Sequence, residues 1–179
     1  MKTYLLVGLM SAGLMASASS AIIQFDLQGQ AGAGLLPGNE LHVVTGGGMG
    51  GELGAGISFN DSTNILSIIV GWGSGNGFVN LSGVATAAHL HGPANQTTAA
   101  SVLVPLTISN TSASNGGITQ NIIIGSGDVA DLLAGNVYLN VHTGANPGGE
   151  IRGNLVQVPE PSGMLLCAAG LLLFLRRRR

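Results

Sequence analysis

Cysteine is almost missing from this chain. The single one, Cys167, lies in the apolar stretch close to the C-terminus, so the rest of the polypeptide can form no disulfide and has to cohere by packing. Basic residues are nearly as scarce. Five of the six are Lys2 and the terminal run Arg176, Arg177, Arg178 and Arg179. Between Ile22 and Pro159 the only cation is Arg152, set against Asp26, Glu40, Glu52, Asp61, Asp128, Asp131 and Glu150, a net charge of about −6. A segment with one cation cannot neutralise a row of phosphates, which excludes nucleic acid as a partner. Anionic membrane surfaces repel it for the same reason. Catalytic signatures are absent too. There is no Gly-X-Ser-X-Gly, no cysteine nucleophile outside the tail, and no placed Ser–His–Asp set. The glycine-rich run Gly46 to Gly56 lacks the Gly-Lys-Ser/Thr ending of a phosphate-cradling loop. The expectation is a protein that is not an enzyme. Gly, Ala, Ser, Thr and Asn take the place of charge, a composition typical of extracellular β-rich modules.

The two ends carry most of the long apolar sequence. Residues 1–21, "MKTYLLVGLMSAGLMASASSA", start with Lys2, run apolar from Tyr4 to Met15 and finish in small residues. That order is a secretory signal peptide, cut by signal peptidase after Ala18 or Ala21. Residues 158–179 begin Val158-Pro159-Glu160-Pro161, continue through thirteen mostly apolar residues from Gly163 to Leu175, and end in the four arginines. A thirteen-residue helix rises about 20 Å, short of a hydrocarbon core of roughly 30 Å, and suits a transient stop better than a permanent span. The arginines hold its end in the cytoplasm. The Pro159-Glu160-Pro161 element, the apolar helix and the basic end together resemble the PEP-CTERM sorting signal of Gram-negative bacteria. That resemblance implies an exosortase as partner, removal of the tail near Pro159, and delivery to the cell surface, outer membrane or extracellular matrix after transient anchoring in the inner membrane. A retained, unprocessed anchor is the alternative.

Residues 22–157 are long enough for one domain with one core. Alternating apolar and polar residues predict strands at Ala21–Leu27, Val84–His91, "ITQNIIIG", "NVYLNVHT" and "EIRGNLVQV", and a hairpin from Ile57–Phe59 and Ile65–Trp72. Leu41–Thr45 reads as a further short strand, and Ser101–Ile108 as an edge or bulged strand because Pro105 interrupts it. Gly46–Gly56, Gly73–Gly77 and Ser109–Gly117 read as loops, with Trp72 and Phe78 closing the core. One helical signal stands out in "GSGDVADLLAGN": Asp128 is placed to cap, Val129, Leu132 and Leu133 share a face, and Gly135 stops it. Seven or eight short strands with one small helix make an all-β fold, an antiparallel Greek-key-like β-sandwich or flattened barrel.

Two stretches, "ATAAHLHGPANQTTAASVLVPL" and "GDVADLLAGNVYLNVHTGANPGGEIRGNL", are similar to the CHRD domain, named after chordin and found in bacterial secreted proteins. The similarity runs strongest from Val84 to Val156. It implies an extracellular β domain and names no reaction.

His89 and His91 are two of only four histidines. On a strand, residues two apart lie about 7 Å apart with side chains on one side, so both rings can reach a metal at about 2.1 Å. His142, ending another strand before a turn, can supply a third nitrogen if the strands are neighbours, with Glu150 or Asp128 as a carboxylate. That set suits copper or zinc. The strand His-X-His is similar to copper ligands of copper/zinc superoxide dismutases, whose bridging ligands and disulfide this chain lacks. The plainer reading, in which the histidines bond to backbone, Glu150 or Asn140 and no cofactor is held, is the one the sequence favours. Glu150 and Arg152, in "GEIRG", share a face of the last strand and are expected to form a structural ion pair, directly or through cross-strand neighbours. The function expected first is a noncatalytic surface or matrix protein that contacts polysaccharide or surface proteins, and the alternative is a metal-binding module.

Overall fold

A computed structural model of the chain describes residues 21–112 and 114–159. Apart from Ala21, Val158 and Pro159, the signal peptide and the sorting segment lie outside the described residues. Among the described residues no helix is long and apolar enough to cross a membrane.

The described residues form ten strands and one short α-helix. They are β1 (Ile22–Gly29), β2 (Gly32–Ala33), β3 (Gly50–Asn60), β4 (Ile65–Trp72), β5 (Ala85–His91), β6 (Val102–Leu106), β7 (Ser109–Ser112), β8 (Asn115–Ile123), α1 (Val129–Leu133), β9 (Tyr138–Thr143) and β10 (Ile151–Gln157). Every pairing is antiparallel, in one sheet of order β6-β5-β9-β10-β1-β3-β4-β8-β7, with β2 attached to β1. After β4 the chain leaves for the far side of the sheet to make β5 and β6, then returns to lay β8 beside β4, a Greek-key path. The sheet curls until it is nearly closed, barrel-like. Its two edge strands follow each other in sequence, β6 passing into β7 through Thr107 and Ile108, and the Thr107 N–H donates to Gln120 of β8 at 2.9 Å. Near-closure leaves little free edge for another chain to pair with.

The all-β antiparallel expectation is met, with ten strands in a single curled sheet. Pro105 lies on β6 at the sheet edge, as its missing N–H requires. Three expected boundaries change. Leu41–Thr45 is not a strand, because no neighbour pairs with it. Gly50 to Gly56 belong to β3 and pair with β4 in the register Gly50↔Trp72, Gly51↔Gly71, Glu52↔Val70, before a bulge between Glu52 and Ile57. Glycine is needed at position 50, since a Cβ there would stand 2.6 Å from the Gly71 carbonyl oxygen. Ser109–Ser112 forms β7 and turns back to pair with β8.

The inner face is apolar and mostly aliphatic, with Leu27, Ile57, Phe59, Leu66, Ile68, Leu90, Ile118, Leu139, Val141 and Leu155 buried around Trp72. Trp72 is fully buried while Phe78 is only half-buried over Gly51, so the core is closed by the indole alone. Leu132 of α1 is buried against the same cluster, with Val129 and Leu133 packed beside it. Asp128 occupies the N-cap position without a side-chain cap bond, and Gly135 at φ +76° follows the helix end. At one end of the barrel the start of β1 lies next to the finish of β10, with Phe25 opposite Gln157 and the Val158 N–H donating to Gln24 O at 2.9 Å.

Candidate metal centre

The alternation of β9 sorts its side chains as the sequence predicts. Val137, Leu139 and Val141 enter the core, and Tyr138, Asn140 and His142 point to the outer face. On that face β5 contributes Ala87, His89 and His91, because β5 and β9 pair in the register Ala87↔His142, His89↔Asn140, His91↔Tyr138. On the other side of β9, Arg152 stands opposite Asn140 and Asn154 opposite Tyr138.

The outer face of these three strands is polar and yet buried. Two chain segments lie across it. One contains Asn39 to Thr45: Asn39 Nδ2 donates to Arg152 O at 2.9 Å, and Asn146 Nδ2 donates to Thr45 O at 2.8 Å. The other runs from Gly92 to Ser101, where Asn95 O and Thr98 O accept hydrogen bonds from Arg152 Nη2 at 2.8 and 2.9 Å. Burial therefore extends to Tyr138, Asn140, His91, Arg152 and Asn154.

Within this layer the three histidines converge. Nitrogen atoms of His89, His91 and His142 all lie within 4.8 Å of one another, and His89 Nδ1 is 3.0 Å from His142 Nε2. Two rings are oriented from behind. His91 Nδ1 is 3.0 Å from Ala100 O and His142 Nδ1 is 2.9 Å from Pro147 O. A carbonyl only accepts, so both Nδ1 atoms carry the proton; the Nε2 of His142 then accepts from the His89 Nδ1–H, a bond that a metal ion would replace, and the Nε2 of His91 keeps its lone pair unused. The Nε2 of His91 is buried and has no hydrogen-bond partner. Burial holds the His91 and His142 rings below the usual histidine pKa, with the neighbouring histidines pushing the same way, so both are neutral at pH 7. Backbone bonds to the far nitrogen are the arrangement that fixes tautomer and ring direction in metal-ligating histidine. Three imidazole nitrogens on adjacent strands, with His89 and His142 partly exposed, fit a metal reached from the surface.

Among the described residues no carboxylate joins them. Glu150 is fully buried elsewhere, where it accepts from the Ser82 N–H at 2.7 Å, Thr143 Oγ1 at 2.7 Å, Asn146 Nδ2 at 3.0 Å and the Ser82 hydroxyl. Burial raises its pKa, but these donors outweigh burial and hold the carboxyl below its ordinary value. Asp128 stays at the start of α1. The expected Glu150–Arg152 ion pair is not formed. The Arg152 guanidinium bonds to Asn95 O, Thr98 O and Asn154 Oδ1, and its Cζ lies 3.6 Å from the centroid of the Tyr138 ring. Position 150 precedes β10 and its side chain turns into the Ser82–Thr143–Asn146 cluster, so the shared strand face that motivated the pairing does not apply to it.

Sequence reasoning missed three residues of this layer. Tyr138 stacks on His91, ring centroids 4.8 Å apart and planes 3° from parallel. Glu40 is buried beside Arg152, and burial pushes its carboxyl up to about 7 against the opposing pull of the guanidinium. His42, the fourth histidine, bonds Gly149 O through Nε2 at 3.1 Å and stands 3.9 Å from Glu40. Gly149 is fixed by this crowding: at φ +126°, a Cβ would lie 2.3 Å from Asn140 Oδ1 and 2.5 Å from Glu40 Oε1.

Neither the curated proteins nor the solved structures contain a match to this chain. A family model does match, that of the CHRD domain, over residues 32–155. The matched span begins at β2, takes in every strand from there to β10 up to Leu155, and includes all four histidines and Arg152. By that match over more than half its length, the chain belongs to the CHRD domain family.

Proposed function

We propose that this CHRD protein is an exported, noncatalytic component of the cell surface or extracellular matrix whose domain binds copper or zinc through His89, His91 and His142. Family membership is consistent with an extracellular or secreted domain. The observation that carries the metal reading is the group of three histidine nitrogens within 4.8 Å, two of them aimed by backbone carbonyls. Export and exosortase sorting are supported by the sequence of the two ends alone, with signal peptidase acting at the first and the Pro159-Glu160-Pro161 element marking the second.

The test is metal titration of the full-length protein by calorimetry, with copper and with zinc. One ion per chain is expected, together with a raised melting temperature, because a ligand that binds only the folded state stabilises it. His142→Ala should weaken binding at least tenfold without unfolding the protein, as the ring is partly exposed. No binding heat and an unchanged melting curve with either metal would end the metal reading.

Adhesion to polysaccharide or surface proteins is the second reading. It is favoured by Leu41 and Val43, left exposed on the segment that crosses the outer face, Val43 by 94%. If Val43→Ser abolishes surface attachment while metal binding persists, the contact function is separate from the centre.

A further inference from the structure

Resting on that metal reading, we propose that the three-histidine centre selects copper in its monovalent state. The ligand set carries no negative charge. Among the described residues, the histidine–carboxylate approach within 4.0 Å is that of His42 to Glu40, at 3.9 Å and outside the triad. The groups behind His91 and His142 are the carbonyls of Ala100 and Pro147, which orient the rings but add no charge. The carboxylate best placed in sequence, Glu150, is saturated by Ser82, Thr143 and Asn146.

A permanent cation stands close by instead. Arg152 is 2% exposed and lies over the same Tyr138 ring on which His91 is stacked. The cost of placing an ion in a partly dehydrated site grows with the square of its charge, and repulsion from a fixed positive charge grows in proportion to it. A doubly charged ion on three uncharged imidazoles keeps its whole charge, with the guanidinium across the Tyr138 ring from His91. Zinc has no lower state to adopt. Copper can be held as the monocation, which also accepts a three-nitrogen set, whereas the divalent ion favours tetragonal sites with more ligands.

The experiment uses the full-length protein under anaerobic conditions. Cuprous ion is titrated against a chromophoric cuprous chelator, zinc and cupric ions are titrated in parallel, and the reduction potential of the copper-loaded protein is measured. The expected result is a potential above that of copper in the same buffer by at least about 59 mV, a tenfold preference for the monovalent ion in a one-electron couple. Zinc in equimolar amount should not displace cuprous ion. Arg152→Met should lower the potential, and His42→Ala should leave it in place. Should the arginine variant not fold, the wild-type potential and the zinc competition decide by themselves. A potential at or below that of the buffer, or displacement by zinc through the same histidines, overturns the monovalent preference while leaving the metal site standing. Absence of binding by all three ions removes the site and the preference together.

Discussion

The two halves of the curled sheet treat their outer faces differently. In β4 and β8 the inward residues Leu66, Ile68, Ile118 and Ile122 are buried, while Thr119, Asn121 and Ile123 face water, Ile123 by 75%. In β9 and β10 nearly every residue is buried, on both faces. The inward side is aliphatic in both halves. What differs is that β5, β9 and β10 are roofed by Asn39–Thr45 and Gly92–Ser101, and the roofed surface is polar. A wet outer face needs only solubility. A roofed one has to satisfy its hydrogen bonds internally and can hold rings in fixed positions, and the histidine group lies there.

Exchanges on the two outer faces test this contrast. The largest effect is expected from Arg152→Ala, which leaves Asn95 O, Thr98 O and Asn154 Oδ1 without their donor and strips the cation from Tyr138. A loss of about 3–5 kcal/mol in denaturant unfolding is expected. A loss below about 1 kcal/mol would mean that the roof contributes little.

Next comes the pH response of Glu40. Its carboxyl is raised from 4.5 to about 7 in the folded protein, so between those values the folded state holds a proton that the unfolded chain has released. The stabilisation is complete below pH 4.5 and is lost as pH rises through 7, on the order of 3 kcal/mol across the window. Comparing Glu40→Gln with the wild type at each pH isolates this slope. Parallel curves would show that Glu40 titrates as an exposed acid.

Glu150→Gln should cost about 2 kcal/mol at neutral pH, since a neutral amide replaces a carboxylate that accepts from Ser82, Thr143 and Asn146. The wild type should show the matching loss only as pH falls below 4.5, because this pKa is lowered. The smallest effect belongs to the wet half. Thr119→Ala, on the exposed side of β8, should stay within about 0.5 kcal/mol of the wild type.

The same contrast explains what the sequence allowed one to read. Alternation in "NVYLNVHT" assigns both faces of β9 correctly, and Pro105 marks an edge, because strand period and the missing proline N–H are local properties. The three histidines fall on one face by the same period, but their convergence needs the β5–β9 register, which no local pattern encodes. Glu40 and His42 were invisible for another reason. "LHVVT" is a short apolar run of the kind strands show, yet the segment is held by Asn39, Asn146 and the His42–Gly149 bond across the outer face. Glycine richness likewise suggested a loop at Gly50–Gly56, where close packing against β4 demands small residues in a strand. Glu150 and Arg152 are two residues apart, but long-range donors at Ser82 and acceptors at Asn95 and Thr98 separate them.

Because Gln157 pairs with Phe25 beside Val158, whatever precedes Ala21 and whatever follows Pro159 departs from the same end of the barrel. The register Val141↔Ile151 sets His142 at the opposite end of β10, six residues and about 20 Å away. A tether attached at either point would act like a stalk, presenting the histidines outward and keeping them clear of the surface it grows from.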